Sequence, residues 1–368
     1  MPTVISTAAG SPSAPSEQVP ARKYRQEQVV SDSHSDVILR AEGISVVYQT
    51  PRGAAHAVSD VSFDLRAGET LGIVGESGCG KSSLARAVLQ LPRPTSGAVY
   101  YRGENLVKLS PGRMRSLRPE LQMVFQDPMS SLNPRKTILQ SLSEPLRITK
   151  VVKSERRTRV HEILDAVGLD PYRHGDARPG QLSGGQCQRA AIARALLSGA
   201  RVLICDEAVS ALDVSLRATV LNLINELKAE FGFSVMFIAH DLAVVKNVSD
   251  RILVMYLGQI CEQAPADELY ESPHHPYSDA LMSVVPEADP QKPLPGNSLT
   301  GDLPSPLNPP EGCRFRSRCA RADNSCLQRP EMLPLGSSAH LVACHHPVNA
   351  ASVDQALETT SKSAAIHP

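Results

Sequence analysis

Nine consecutive residues, Gly75 to Ser83 with the sequence GESGCGKSS, carry the clearest chemistry in this chain of 368 residues. Gly75, Gly78 and Gly80 lack a Cβ, so the backbone is free to curl and aim successive N–H groups, those of Ser77, Cys79 and Ser83 included, at a polyphosphate. Lys81 then has the reach for β and γ phosphates, and Ser82 offers a hydroxyl to Mg²⁺, which completes the GxxxxGK[ST] pattern of nucleoside triphosphate binding. A second anion site is expected at QLSGGQCQR, Gln181 to Arg189. There Ser183 is a helix N-cap, and Gly184, Gly185 and Gln186 open a helix whose first N–H groups are bare. Farther on, the apolar run Val202 to Cys205 delivers Asp206 and Glu207 to a strand end. Asp206 suits Mg²⁺ through its water shell, and Glu207 suits the polarisation of a water in line with a γ phosphate. Gln126, after the run Leu121 to Phe125, and His240, after Ser234 to Ala239, end two further apolar runs where a polar group meets the metal, the water or the phosphate.

These groups need a sheet whose strand ends converge. Thr70 to Val74 and Val202 to Cys205 read as buried parallel strands, and Ser234 to Ala239 as another buried strand. Lys81 to Leu91, the helix through Leu197 and Ser215 to Phe231 repeat apolar residues at helical spacing. Val37 to Leu39, Ile44 to Tyr48 and Val61 to Leu65 read as antiparallel strands ahead of the phosphate loop, with Tyr48 placed to stack on a purine base. Thr137 to Val167 reads as a separate helical lobe. Arg251 to Tyr256 and Gln259 to Ala264 form a hairpin over Leu257 and Gly258, closed by a short helix at Ala266 to Tyr270. The fold class is therefore α/β: a mixed sheet with a parallel core, an antiparallel β subdomain and a helical subdomain.

Composition narrows the class. Lys plus Arg and Asp plus Glu are both 38, Trp is absent and aromatics are 4%, so nucleic acid is not an expected partner. No run of eighteen apolar residues would span a bilayer. The N-terminus has no secretory pattern, so the eight cysteines are expected to be reduced. Residues 1–35, rich in Ser, Pro, Ala, Gln and Glu, read as a disordered tail, and 349–368 as a flexible one.

The phosphate loop, Gln126, LSGGQ, VLICDE, SALD and His240 stand in the order and spacing of one family. From 37 to 270 the chain resembles an ABC transporter nucleotide-binding subunit, with LSGGQ the most specific piece. That resemblance implies MgATP hydrolysis in a dimer, each ATP held between the phosphate loop of one subunit and the LSGGQ helix of the other. It further implies Tyr48 as the adenine-stacking aromatic, Gln126 as the sensor facing the membrane partner, Glu207 as general base, Asp213 as an inter-subunit contact and His240 as the γ-phosphate switch. Cys187 after LSGGQ, and Ala208 and Val209 before SALD, depart from the family pattern. A soluble ATPase of the same type, without permease, is the rival reading.

Beyond the cassette (36–270), the segment 271–348 holds His275, Pro276 and Tyr277, which resemble the C-terminal extension of oligopeptide and dipeptide importer ATPases. The implied partners are a second ATP-binding subunit, two permeases on whose cytoplasmic side the chain docks at the cell membrane, and, indirectly, an extracytoplasmic solute-binding protein. Peptides are the implied cargo, with nickel or another small solute as the alternative. Cys313, Cys319, Cys326 and Cys344 are separated by five, six and seventeen residues. Such a small module has little core of its own, and four thiolates suit an iron–sulfur cluster or a tetrahedral zinc. The resemblance favours [4Fe-4S], while His345 and His346 leave a mixed ligand set open and free or unrelated thiols are the third reading.

Overall fold

The structure, a computed structural model, describes residues 36–283, Ala211 excepted, and 301–349. Asn349 apart, both expected tails lie outside the described residues. The first apolar runs form one antiparallel hairpin, β1 (Val37–Thr50) and β2 (Gly53–Arg66). The sequence suggests two strands where β1 is one, because Gly43 interrupts the apolar pattern. Its φ of 57° instead makes an irregularity in the register, anchored by a Gly43 N–H to Ser62 Oγ hydrogen bond of 2.9 Å. Strand β3 (Thr70–Val74) leads into the phosphate loop. Next come β4 (Ser96–Tyr101) and β5 (Glu104–Asn105), which complete a four-stranded antiparallel sheet in the order β2-β1-β4-β5.

The larger sheet adds β6 (Leu121–Val124), β7 (Val202–Asp206), β8 (Ser234–Ile238), β9 (Arg251–Tyr256) and β10 (Gln259–Pro265) to β3. Its last members, β11 (Leu333–Leu335) and β12 (Ser337–Val342), come from the C-terminal segment. The order is β11-β12-β10-β9-β3-β8-β7-β6, parallel from β9 to β6 and antiparallel beyond. Thus the C-terminal segment does not stand apart: β12 pairs with β10 through Glu262 and Gln263 and lengthens the main sheet.

Period-two alternation divides the buried strands between two cores. Val202 and Ile204 of β7, Met236 and Ile238 of β8, and Leu253 and Met255 of β9 pack toward the four-stranded sheet and the helix Lys81–Val88. Leu203, Cys205, Val235, Phe237, Ile252 and Val254 pack the opposite way, into a core shared with the helical lobe. That lobe contains the helices Ile138–Ile148 and Lys153–Ala166, and Gly184–Ser198 packs against both. The helix after the phosphate loop stops at Val88, short of Leu91, where Gln90 takes a φ of 59°. Both faces of β3, β7, β8 and β9 being covered, their polar side chains find room only at the strand ends.

Candidate nucleotide-binding site

Three parallel strands end side by side around the phosphate loop. Strand β8 lies between β3 and β7, so the residues just beyond each carboxyl end converge: Gly75 to Ser83 after β3, Asp206 and Glu207 at β7, and His240 after β8. Gly75, Gly78 and Gly80 all have positive φ, at 151°, 81° and 107°. At two of them space also forbids a side chain, since a Cβ on Gly75 would collide with the Met255 carbonyl oxygen and one on Gly80 with that of Ala57. The loop is thus pressed against the β9–β10 turn, whose Gly258 N–H donates to the Cys79 carbonyl at 2.7 Å.

Lys81 is only 4% exposed, with Nζ donating to the carbonyls of Gly75 (2.7 Å) and Glu76 (2.9 Å). Its ammonium is therefore held over the loop rather than in solvent. Ser82 Oγ lies 2.7 Å from Asp206 Oδ1, which joins the helix after the loop to the end of β7. Burial pushes the Asp206 carboxyl up; the Ser82 hydrogen bond, Arg86 and Lys81 oppose this, and Glu207 adds to it. A divalent cation beside these two oxygens would offset that burial, so the pair fits Mg²⁺.

Glu207 follows with φ of 50°, a left-handed conformation costly for a residue with a side chain, fixed by its N–H to the Ile238 carbonyl at 2.9 Å. Its Oε2 is 3.8 Å from His240 Nδ1, so the carboxylate and the imidazole face one another across the loop end. Gln126 is exposed, two residues beyond β6, and among the described residues its amide bonds neither Ser82 nor Asp206. Tyr48 is half-buried near the end of β1, packed against the core shared with the first sheet.

The LSGGQ stretch opens the helix Gly184–Ser198 with a reciprocal cap: Gln186 N–H to Ser183 Oγ at 3.3 Å and Ser183 N–H to Gln186 Oε1 at 2.9 Å. That cap commits the Gln186 N–H to the protein and leaves those of Gly184 and Gly185 outside it. Asp213 caps the helix Val214–Phe231 through the Leu216 N–H at 2.9 Å, and its side chain is exposed. The Cys187 departure is internal, its buried thiol donating to the Pro179 carbonyl at 3.4 Å.

A family model described as ABC transporter matches residues 58–210, and one described as the oligopeptide/dipeptide transporter C-terminal region matches 261–326. The oligopeptide transport ATP-binding protein OppF of Escherichia coli is 49% identical over 307 residues, 82% of this chain and 91% of that protein. The chain belongs to the oligopeptide/dipeptide family of ABC transporter ATP-binding proteins. The dipeptide transport ATP-binding protein DppF of the same organism is 46% identical, over 80% of this chain and 88% of that one. Among solved structures, the dimeric MJ0796 ABC transporter cassette matches with a TM-score of 0.57 and 30% identity, over 62% of this chain and 98% of that one. The same cassette, as a dimer in a post-hydrolysis state bound to ADP and Pi, matches equally at 0.57. As an ABC ATPase, the chain binds ATP and hydrolyses it.

The four C-terminal cysteines, Cys313, Cys319, Cys326 and Cys344, all lie within the described residues as free thiols. Cys313 N–H donates to the Cys326 carbonyl at 3.0 Å and His346 N–H to Cys344 Sγ at 3.3 Å. Burial raises the thiols of Cys313 and Cys319, and pushes Cys344 up to about 11; each is raised further by neighbouring members of the four. Asp323, Cys326 and His346 also place ligand atoms within 4.8 Å of one another. Sequence reasoning missed Glu76 and Arg318, which meet at the phosphate loop. Only their neighbours, the loop glycines and Cys319, carry a pattern.

Proposed function

We propose that this chain is the ATP-hydrolysing subunit of an importer for oligopeptides or dipeptides, docked peripherally on two permease subunits at the cytoplasmic face of the cell membrane. The observation that carries it is the match of residues 261–326 to the oligopeptide/dipeptide C-terminal region, joined to 49% identity over 91% of OppF. Among the described residues no helix is long and apolar enough to cross a membrane. A second ATP-binding subunit, identical or related, closes the pocket. The N–H groups of Gly184 and Gly185 and the Ser183 hydroxyl then meet the γ phosphate held by the partner's loop.

In this reading the loop N–H groups and Lys81 hold the β and γ phosphates, and Tyr48 stacks on the adenine. Ser82 and Asp206, with Gln126 contributing, would hold Mg²⁺, which would supply neutralisation of phosphate charge. Glu207 accepts a proton from the water that attacks the γ phosphorus, the bond to the β–γ bridging oxygen breaks, and ADP leaves with phosphate. His240 Nδ1, beside Glu207, orients that carboxylate and contacts the γ phosphate. Asp213 lies at the subunit contact.

Reconstitution with the permeases and binding protein tests the cargo: ATP-dependent uptake of labelled di- to pentapeptides is expected, and uptake of nickel without peptide would overturn it. The resemblance of the C-terminal extension favours [4Fe-4S] on Cys313, Cys319, Cys326 and Cys344, and Cys344→Ser is expected to lose iron and acid-labile sulfide from anaerobically purified chain. The Asp323, Cys326 and His346 geometry favours zinc as a second reading, and zinc without sulfide would select it.

A further inference from the structure

The loop residue Glu76 places a carboxylate within a cradle built for anions, a poor choice unless its charge is cancelled. Three contacts hold it. Its carbonyl accepts from Lys81 Nζ, its N–H donates to Tyr277 Oη at 2.9 Å, and both carboxylate oxygens lie 3.0 Å from Arg318 Nη1. The last two partners come from the C-terminal segment. Arg318 is 6% exposed in its side chain, spans from beside Cys319 to the loop and also donates to Tyr256 Oη at 3.4 Å. Tyr277 is fully buried, its ring 4.7 Å from Tyr256 and 5.4 Å from Phe315. Arg318 therefore approaches Glu76 along a rigid aromatic wall, and its ordering entropy is already lost on folding.

The Glu76 charge is felt inside the loop. Burial pushes the Cys79 thiol up, Lys81 opposes this, and Glu76 adds to the rise. A triphosphate, carrying several negative charges, would be repelled by an uncovered Glu76 more strongly than a single thiolate.

We propose that Arg318, supported by Tyr277, is a positioning residue of the ATP site: it neutralises Glu76 and fixes it away from the phosphates, so that ATP affinity depends on the docked C-terminal segment. The brace needs the fold of that segment and is independent of which ion the four thiols hold. It also leaves the hydrolytic groups Glu207 and His240 untouched. The expected signature is a change in ATP affinity with the rate at saturation preserved.

The test uses the full chain, titrated with a fluorescent ATP analogue, and the assembled transporter for steady-state kinetics. Arg318→Ala is expected to raise Kd and KM for ATP about tenfold, a loss that shrinks at high salt, with kcat within about twofold. Glu76→Gln in the same chain is expected to restore affinity to within about threefold, because it removes the repelling charge rather than rebuilding a contact. An unchanged Kd in Arg318→Ala, or failure of Glu76→Gln to rescue it, overturns the proposal. If Arg318→Ala does not fold, Arg318→Lys decides: it keeps the charge and should hold Kd within about threefold, and a tenfold loss there refutes electrostatic bracing.

Discussion

His275 offers a quantitative test of how the C-terminal segment is seated on the cassette. Its side chain is 2% exposed, its Nδ1 accepts the Tyr277 N–H at 3.0 Å and so caps the helix Pro276–Met282, and its ring lies 5.7 Å from Phe315. Burial pushes its pKa down from 6.5 to about 4, with Glu262 opposing. The neutral ring is the one that fits, since a proton on Nδ1 would face the Tyr277 N–H. A base whose folded pKa is depressed contributes its full stability above the unfolded value of 6.5, and that stability is lost as pH falls toward 4. Between neutral pH and about pH 5 the loss is about 2 kcal/mol, from roughly 1.4 kcal/mol per pH step over one and a half steps. The assay compares denaturant unfolding of the full chain with that of His275→Asn at both pH values. Asn keeps a side-chain acceptor for the Tyr277 N–H and does not titrate. His274, also held low, by burial and by its neighbour His340, titrates in both proteins and cancels. The wild type should lose about 2 kcal/mol more than the variant on acidification; equal losses would show that His275 is not buried in a neutral state.

Two further outcomes concern the ATP site itself. Glu207→Gln should bind ATP with near wild-type affinity while turnover in the assembled transporter falls about a hundred- to ten-thousandfold, and unchanged turnover would remove Glu207 as the base. Gly80→Ala, which drives a methyl into the Ala57 carbonyl at a φ of 107°, should weaken binding of the fluorescent ATP analogue at least about tenfold. Gly112→Ala, at an exposed helical glycine with nothing within 4 Å, should leave that binding unchanged.

Residues whose chemistry depends on local spacing are legible in the sequence alone. The loop glycines and Lys81 are fixed by one turn, Ser183 and Gln186 by a single helical turn, and Asp206 by the end of an apolar run. The strands β7 and β8 were equally plain because burial on both faces leaves only apolar residues. What stayed hidden depends on pairings across long stretches of chain. Glu76 with Arg318 leaves no periodic trace, since each partner satisfies its local pattern without the other, whereas Ser82 with Asp206 and Glu207 with His240 are brought together in the sequence only by the Mg²⁺ and γ phosphate their motifs share. The helices Pro111–Leu117 and Leu242–Val248 were missed because seven residues give too few turns for an apolar stripe. Strands β11 and β12 were missed for a related reason: β11 is only three residues with a central Pro, and the first half of β12 is exposed Ser, Ser and Ala, so neither reads as a strand until β10 is beside it.

The seam between β10 and β12 makes the boundary suggested by the ATPase motifs a poor place to divide the protein. Glu262, at the middle of that seam, is wholly buried and takes hydrogen bonds from the His274 and His275 N–H groups and from His340 Nε2. Shortening the chain to its catalytic part would strand this carboxylate without donors and lay open the flank of the main sheet to neighbouring molecules. A chain ending at residue 270 is therefore expected to be less stable than one that keeps the C-terminal hairpin.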